Sequence, residues 1–175
     1  MSFLPIALNI QNKNLLIVGG GHAALQKLNN LLPFTNNITV LSPDILPEIR
    51  EQENIHIIQD AYDISYLQDM FLVYACTDSP EINRKVLEDA ETMGVLCNRT
   101  DQAEESHFHS SGIVETDDMY VAVNSKRKEV KKTVALKKEL QSYLEERDSL
   151  LRQKEQQKGK VYLVGFGPGN PDLLT

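Results

Sequence analysis

The stretch Asn14-Leu15-Leu16-Ile17-Val18-Gly19-Gly20-Gly21-His22-Ala23-Ala24 constrains this chain more than any other. Four apolar residues run directly into three glycines, and apolar residues at helical spacing follow. A buried parallel strand that turns sharply into a helix has this pattern, and the N–H groups at such a helix start can receive a phosphate. Gly19 is expected to make the tight turn, with Gly20 inside the loop. Gly21 then lets the backbone approach a pyrophosphate, and Ala24 is small enough for close helix–strand packing. The same triplet also fits a plain structural turn, so its surroundings have to decide.

Those surroundings alternate between strand and helix. Leu25, Leu28, Leu31 and Leu32 recur at helical spacing, which predicts a helix over 22–34, closed by Pro33. Strands are predicted at Ile38–Leu41, Ile55–Ile58, Phe71–Ala75 and Val95–Asn98, with short helical pieces at Ile45–Gln52 and Ile64–Asp69. Ser79 as N-cap and Pro80 at the first position open a strong helix that Gly94 stops. This order predicts an α/β fold, a Rossmann-type doubly wound parallel sheet with right-handed crossovers. Ile6–Ile10 reads as an edge strand or lead-in.

After residue 98 the pattern changes. His107–Val114 and Met119–Val123 alternate without a helix between them, which predicts antiparallel strands, and 126–157 reads as one long exposed helix. Val161-Tyr162-Leu163-Val164 then enters Gly165-Phe166-Gly167-Pro168-Gly169, a second strand-to-glycine loop that cannot bury a core of its own. The expected division is 1–105 for the dinucleotide domain, 106–158 for the strand-plus-helix segment, and 159–175 for the start of a further domain, as at the front of a longer polypeptide.

Composition closes off several classes. No apolar run suits a membrane span, and the N-terminus lacks the basic head and apolar core of a signal peptide. Two cysteines, Cys76 and Cys97, make no disulfide framework, so a reduced, cytoplasmic setting is expected. A net charge of −7 argues against nucleic acid as a partner.

The ordered set Leu4-Pro5-Ile6, Val18-Gly19-Gly20-Gly21 with Ala24 and Lys27, Ala75-Cys76-Thr77-Asp78 with Asn83, Cys97-Asn98-Arg99-Thr100-Asp101, and Val121-Ala122-Val123-Asn124-Ser125 resembles the precorrin-2 dehydrogenase / sirohydrochlorin ferrochelatase module of siroheme synthases. The tail from Gly159 resembles the opening of a uroporphyrinogen-III C-methyltransferase domain. The resemblance implies NAD-dependent oxidation of precorrin-2 to sirohydrochlorin, followed by insertion of ferrous iron, in a homodimer. It places His22, Ala23, Pro43 and Asp44 at NAD, Asp101 at the chemistry and Ser125 at the tetrapyrrole; Thr77, after the fourth strand, is read with the glycines as a cofactor contact, and Asn98 as a substrate contact. One departure stands out: Lys126-Arg127-Lys128-Glu129-Val130 occupies the place of the family's Gly-Gly-x-Ser-Pro.

The residues carry chemistry of their own beside the resemblance. Asp44 beyond the second strand can accept from an adenosine ribose, or can cap the next helix. Asp101, at the carboxyl end of the fifth strand, can take a proton as hydride leaves or hold an incoming cation through oxygen; it can also be a turn aspartate. Asn98 and Ser125 suit carboxylate contacts or strand-end turns. Lys126 leads a basic run that can clamp a polycarboxylate, or is a solvated helix face. His107 and His109 share a strand face without a third ligand, so no metal site is expected there. The rival to an enzyme is an NAD-binding module whose altered loop no longer turns over a tetrapyrrole.

Overall fold

A computed structural model describes residues 3–116, 119–124 and 130–156. The expectations for Ser125, Lys126 to Glu129 and the tail from Gly159 lie outside the described residues. The chain divides into two units between Ser110 and Ser111.

In the first unit, β1 (Asn14–Val18), β2 (Ile38–Leu41), β3 (His56–Ile58), β4 (Met70–Ala75) and β5 (Leu96–Arg99) form one parallel sheet in the order β3-β2-β1-β4-β5. Continuous apolar runs build these strands because both faces are covered. Leu15, Ile17, Val40, Leu72 and Tyr74 face one core with α1 (His22–Leu31) and α2 (Pro47–Arg50). Leu16, Val18, Leu41, Val73 and Ala75 face the other, with α3 (Pro80–Met93) and a 3-10 turn at Ile64–Leu67. Each fully buried Leu or Ile side chain contributes about 1.5–3 kcal/mol relative to exposure.

The helix boundaries follow local chemistry. Ser79 Oγ accepts from the Ile82 N–H and Pro80 starts α3, which ends at Gly94 with φ 71°. The lead-in behaves differently from a strand: residues 3–10 pair with none of the strands, and Leu4 and Ile6 are exposed. The strand expected from His107 also starts later, at Gly112. Residues 106–108 follow β5 outside any strand: His107 N–H donates to Cys97 C=O at 2.9 Å, but side chains take the β5 donors beside it. Ser106 Oγ accepts from Arg99 N–H at 2.8 Å, and His107 Nδ1 accepts from Cys97 N–H at 3.0 Å.

In the second unit, β6 (Gly112–Glu115) and β7 (Tyr120–Val123) pair antiparallel, with Val114 opposite Val121. The helix α4 (Val130–Gln156) follows; Leu144 is buried, whereas Val134, Leu136 and Tyr143 are exposed.

Candidate functional site

The sheet reverses direction of growth between β1 and β4, and ligands of open α/β sheets bind beyond the carboxyl ends at such a point. A cleft of about 390 Å³ lies there. Its walls are the loops after β1 (Gly19, Gly20, Gly21), after β2 (Ser42 to Pro47) and after β4 (Cys76, Thr77, Asp78), with Arg50 of α2 at one side. Ladder bonds continue past the strand ends and fix these loops. Gly19 N–H donates to Leu41 C=O at 2.9 Å, Cys76 N–H to Val18 C=O at 2.9 Å, and Leu46 N–H to Gly20 C=O at 2.9 Å.

The three glycines have different reasons to be glycine. Gly19 has φ +131°, and a Cβ there would stand 2.6 Å from the Cys76 carbonyl oxygen. At Gly20 a Cβ would stand 2.0 Å from the Asp44 carbonyl oxygen, so the β1 and β2 loops touch backbone to backbone. At Gly21 a Cβ would meet nothing within 4 Å. Close packing inside the protein therefore requires the first two, while Gly21 leaves space open on the cleft side. Gly21 is also the N-cap of α1, with no side-chain cap and no acid in the first turn. The first N–H groups of α1 are thus left to an external anion, which the helix dipole favours. This fits a dinucleotide pyrophosphate.

Of the other expected cofactor contacts, Pro43, Asp44 and Thr77 line the cleft. His22 and Ala23 are the exposed first residues of α1. A smaller, mainly apolar hollow of about 70 Å³ adjoins the cleft, walled by Val18, Leu41, Tyr62 and Ile82 and sharing Pro43 and Thr77.

Two residues that the sequence reading did not name as site residues emerge here. Arg50 brings a cation to the cleft; its Nε donates to Ile45 C=O at 3.1 Å, and its terminal nitrogens have no partner among the described residues. Its distance of six positions from Asp44 gave no cue, because only the docking of α2 brings it to the rim. Asn83 is fully buried on α3 and grips Thr77. Its Oδ1 accepts from Thr77 N–H at 3.0 Å and from Thr77 Oγ1 at 2.8 Å, and its Nδ2 donates to Thr77 C=O at 3.0 Å. A polar residue on the buried face of α3 was the available signal.

Asp101 stands beyond β5 and is bound by Arg99 through two bonds, Nη2 to Oδ2 at 2.7 Å and Nε to Oδ1 at 3.1 Å. Arg99, whose side chain is 5 % exposed, also pairs with Glu105. The Arg99 hydrogen bond holds the Asp101 carboxyl below the usual carboxylate range. Near neutral pH such a group is a fixed negative charge and a weak proton acceptor. Asn98 is buried and its Nδ2 donates to Phe108 C=O at 2.7 Å, anchoring the segment that follows β5. His107 uses Nδ1 on Cys97 N–H with Nε2 3.5 Å from Glu91, and His109 Nε2 lies 2.8 Å from Ala103 C=O.

Comparisons with known proteins agree with this geometry. Residues 6–112 match a family model described as "Putative NAD(P)-binding". A siroheme synthase of Chromobacterium violaceum is 30 % identical over 233 residues, covering 100 % of this chain and 49 % of that protein. One of Tolumonas auensis is 34 % identical over 126 residues, covering 71 % of this chain and 27 % of the relative. The chain spans about half the length, or less, of these curated relatives. A solved structure of SirC, precorrin-2 dehydrogenase, shares the fold with a TM-score of 0.66 at 19 % identity, over 81 % of this chain and 71 % of that one. No helix among the described residues is long and apolar enough to cross a membrane. With the matched segment covering more than half of its length, the chain belongs to this NAD(P)-binding family, in the form that siroheme synthases contain.

Proposed function

We propose that the cleft binds NAD and that the chain uses it to oxidise precorrin-2 to sirohydrochlorin. The observation that carries this reading is the open space at Gly21 beside the uncapped start of α1. The pyrophosphate lies against the α1 N–H groups, with His22 and Ala23 offering backbone contacts. Asp44 would accept from the adenosine ribose, and the neighbouring apolar hollow would offer room for the adenine. Thr77, held by Asn83, faces the other half of the cofactor. NAD supplies a two-electron acceptor that takes a hydride, and the substrate releases a proton.

Asp101 acts through charge in this scheme. Held ionised by Arg99, it stabilises positive charge that develops on the macrocycle as hydride leaves. The same carboxylate offers oxygen to ferrous iron, the substrate of a second, chelatase step. Asn98, Ser125 and Lys126 complete the tetrapyrrole side of the proposal. The active form is a homodimer, and the free thiols of Cys76 and Cys97 suit a reduced cytoplasm.

Mixing the protein with NAD and precorrin-2 tests the reading. The expected result is growth of the sirohydrochlorin spectrum with one NADH formed per macrocycle. NAD binding without any turnover would replace the enzyme by a dinucleotide-binding module.

A further inference from the structure

Side chains from α1, β4 and the segment after β5 form a cluster that the scheme above does not use. Lys27 lies about one and a half turns past the start of α1, on the side that packs towards β4. Tyr74 precedes by two residues the cleft-lining Cys76. Lys27 Nζ donates to Ser110 Oγ at 3.5 Å, and Ser110 Oγ donates to the Tyr74 hydroxyl at 3.3 Å. The Lys27 ammonium also stands 5.5 Å from the centre of the Tyr74 ring. Phe108 meets that ring edge-on at 5.4 Å and fixes its orientation.

The chemistry of this cluster is unbalanced. It is a chain of donors, lysine to serine to tyrosine, whose last O–H has no acceptor among the described residues. No carboxylate among the described residues pairs with Lys27. A half-buried cation with a converging hydroxyl and no anion is a site that lacks its counter-ion. Burial of Lys27 holds its ammonium below the usual lysine range, and a bound anion would relieve that cost.

We propose that Lys27, Tyr74 and Ser110 form a carboxylate-binding site beside the dinucleotide cleft, taking one acid side chain of the tetrapyrrole. The assignment rests on the substrate reading above and gives it a fixed point. Lys27 provides the charge, and the Tyr74 hydroxyl provides a directed hydrogen bond. Ser110 spaces the two.

Steady-state kinetics of the full chain test this, with KM measured separately for precorrin-2 and for NAD. Lys27→Met keeps the length of the stem and removes the charge. It should raise KM for precorrin-2 about tenfold, as loss of one charge-assisted bond does, with KM for NAD unchanged within about twofold. Tyr74→Phe should raise KM for precorrin-2 by a smaller factor, about threefold. A binding measurement separates carboxylate recognition from packing. The wild type should prefer sirohydrochlorin over its fully esterified form, and Lys27→Met should lose that preference. An unchanged KM together with an intact preference for the free acid in Lys27→Met overturns the site while leaving the dehydrogenase reading standing. A wild-type protein that binds NAD and neither binds nor oxidises a tetrapyrrole overturns the substrate reading and the site with it.

Discussion

Alanine at Gly20 and at Gly21, introduced one at a time, should separate the architecture of the glycine loop from its ligand role. At Gly20 the new methyl would sit 2.0 Å from the Asp44 carbonyl oxygen and 2.9 Å from Ile45 Cα, where ordinary contact begins at 3.4 Å. Both obstacles are backbone, so the β1 and β2 loops must part, and the bond from Leu46 N–H to Gly20 C=O at 2.9 Å is strained with them. Overpacking of this kind costs about 1–3 kcal/mol, and a weakened buried hydrogen bond adds about 1 kcal/mol. Gly20→Ala should therefore lose about 2–4 kcal/mol, a fall in Tm of roughly 10 °C or more for a unit this size. At Gly21 the methyl meets nothing within 4 Å and the backbone angle of −90° suits alanine. Stability should stay within about 1 kcal/mol, because a poorer N-cap is offset by a less flexible unfolded chain. The methyl does enter the space assigned to the pyrophosphate, so NAD affinity should fall at least about tenfold, or 1.4 kcal/mol. Urea unfolding and calorimetric NAD titration read the two effects independently. Wild-type NAD affinity in Gly21→Ala would refute the ligand role, and a Gly20→Ala protein as stable as wild type would refute the packing account.

Asn83→Ala should leave the Thr77 N–H and C=O without their partner in a half-buried setting, at about 1 kcal/mol for each group. Denaturant unfolding checks this; a loss below about 0.5 kcal/mol would mean that water replaces the amide. The carboxyl of Asp101 is lowered when folded, so its contribution is present above the unfolded aspartate pKa of about 3.9 and is lost as pH falls through the lower folded value. The stability gap between wild type and Asp101→Asn should accordingly be constant near neutrality and shrink in acid, as a series of unfolding curves below pH 5 would show; a gap that widens in acid contradicts the Arg99 pairing. Burial pushes the thiols of Cys76 and Cys97 up to about 12. Neither should react with a thiol reagent at pH 8 until the protein is unfolded, and rapid stoichiometric labelling of the native state would count against the buried placement.

The strands of the parallel sheet were legible because burial on both faces leaves plain apolar runs, as in Leu15–Val18 and Phe71–Ala75. Ser79, Pro80 and Gly94 act locally, so α3 could be bounded from sequence alone. What failed to show depends on partners distant along the chain. His107 looked like a strand residue by alternation, yet its side chain takes the backbone donor of Cys97, and no periodicity reports a side chain doing the work of a carbonyl. Arg99 and Asp101 were visible as neighbours two apart, but their two-bond pairing follows from Arg99 being turned inward at the end of β5. The glycine triplet was readable as a loop. The division of labour within it was not, since Gly20 is demanded by Asp44 from another strand end.

Asn83 ties together the two halves of the site that sequence presented as separate motifs. Adjacent strands already align them, with Ala75 opposite Arg99 in register and Thr100 donating to Ala75 C=O through both N–H, at 3.0 Å, and Oγ1, at 3.2 Å. The Asn83 amide then grips Thr77 on the cleft wall, and after Arg99, the main cause, it adds a small share to the lowering of the Asp101 carboxyl. A shift at the end of β4 on dinucleotide binding would therefore be felt at the Asp101 turn through the two bonds from Thr100 to Ala75 C=O. On the proposed reading such a connection would suit hydride removal, because the negative charge would have to stand ready on the substrate side when the acceptor is in place on the other. If the cleft binds NAD as proposed, Asn83→Ala should lower NAD affinity by loosening Thr77, which a calorimetric titration reads; unchanged affinity would count against that role. Neither the loop after β4 nor the Asp101 turn alone contains that link; it comes from α3, which packs against both β4 and β5.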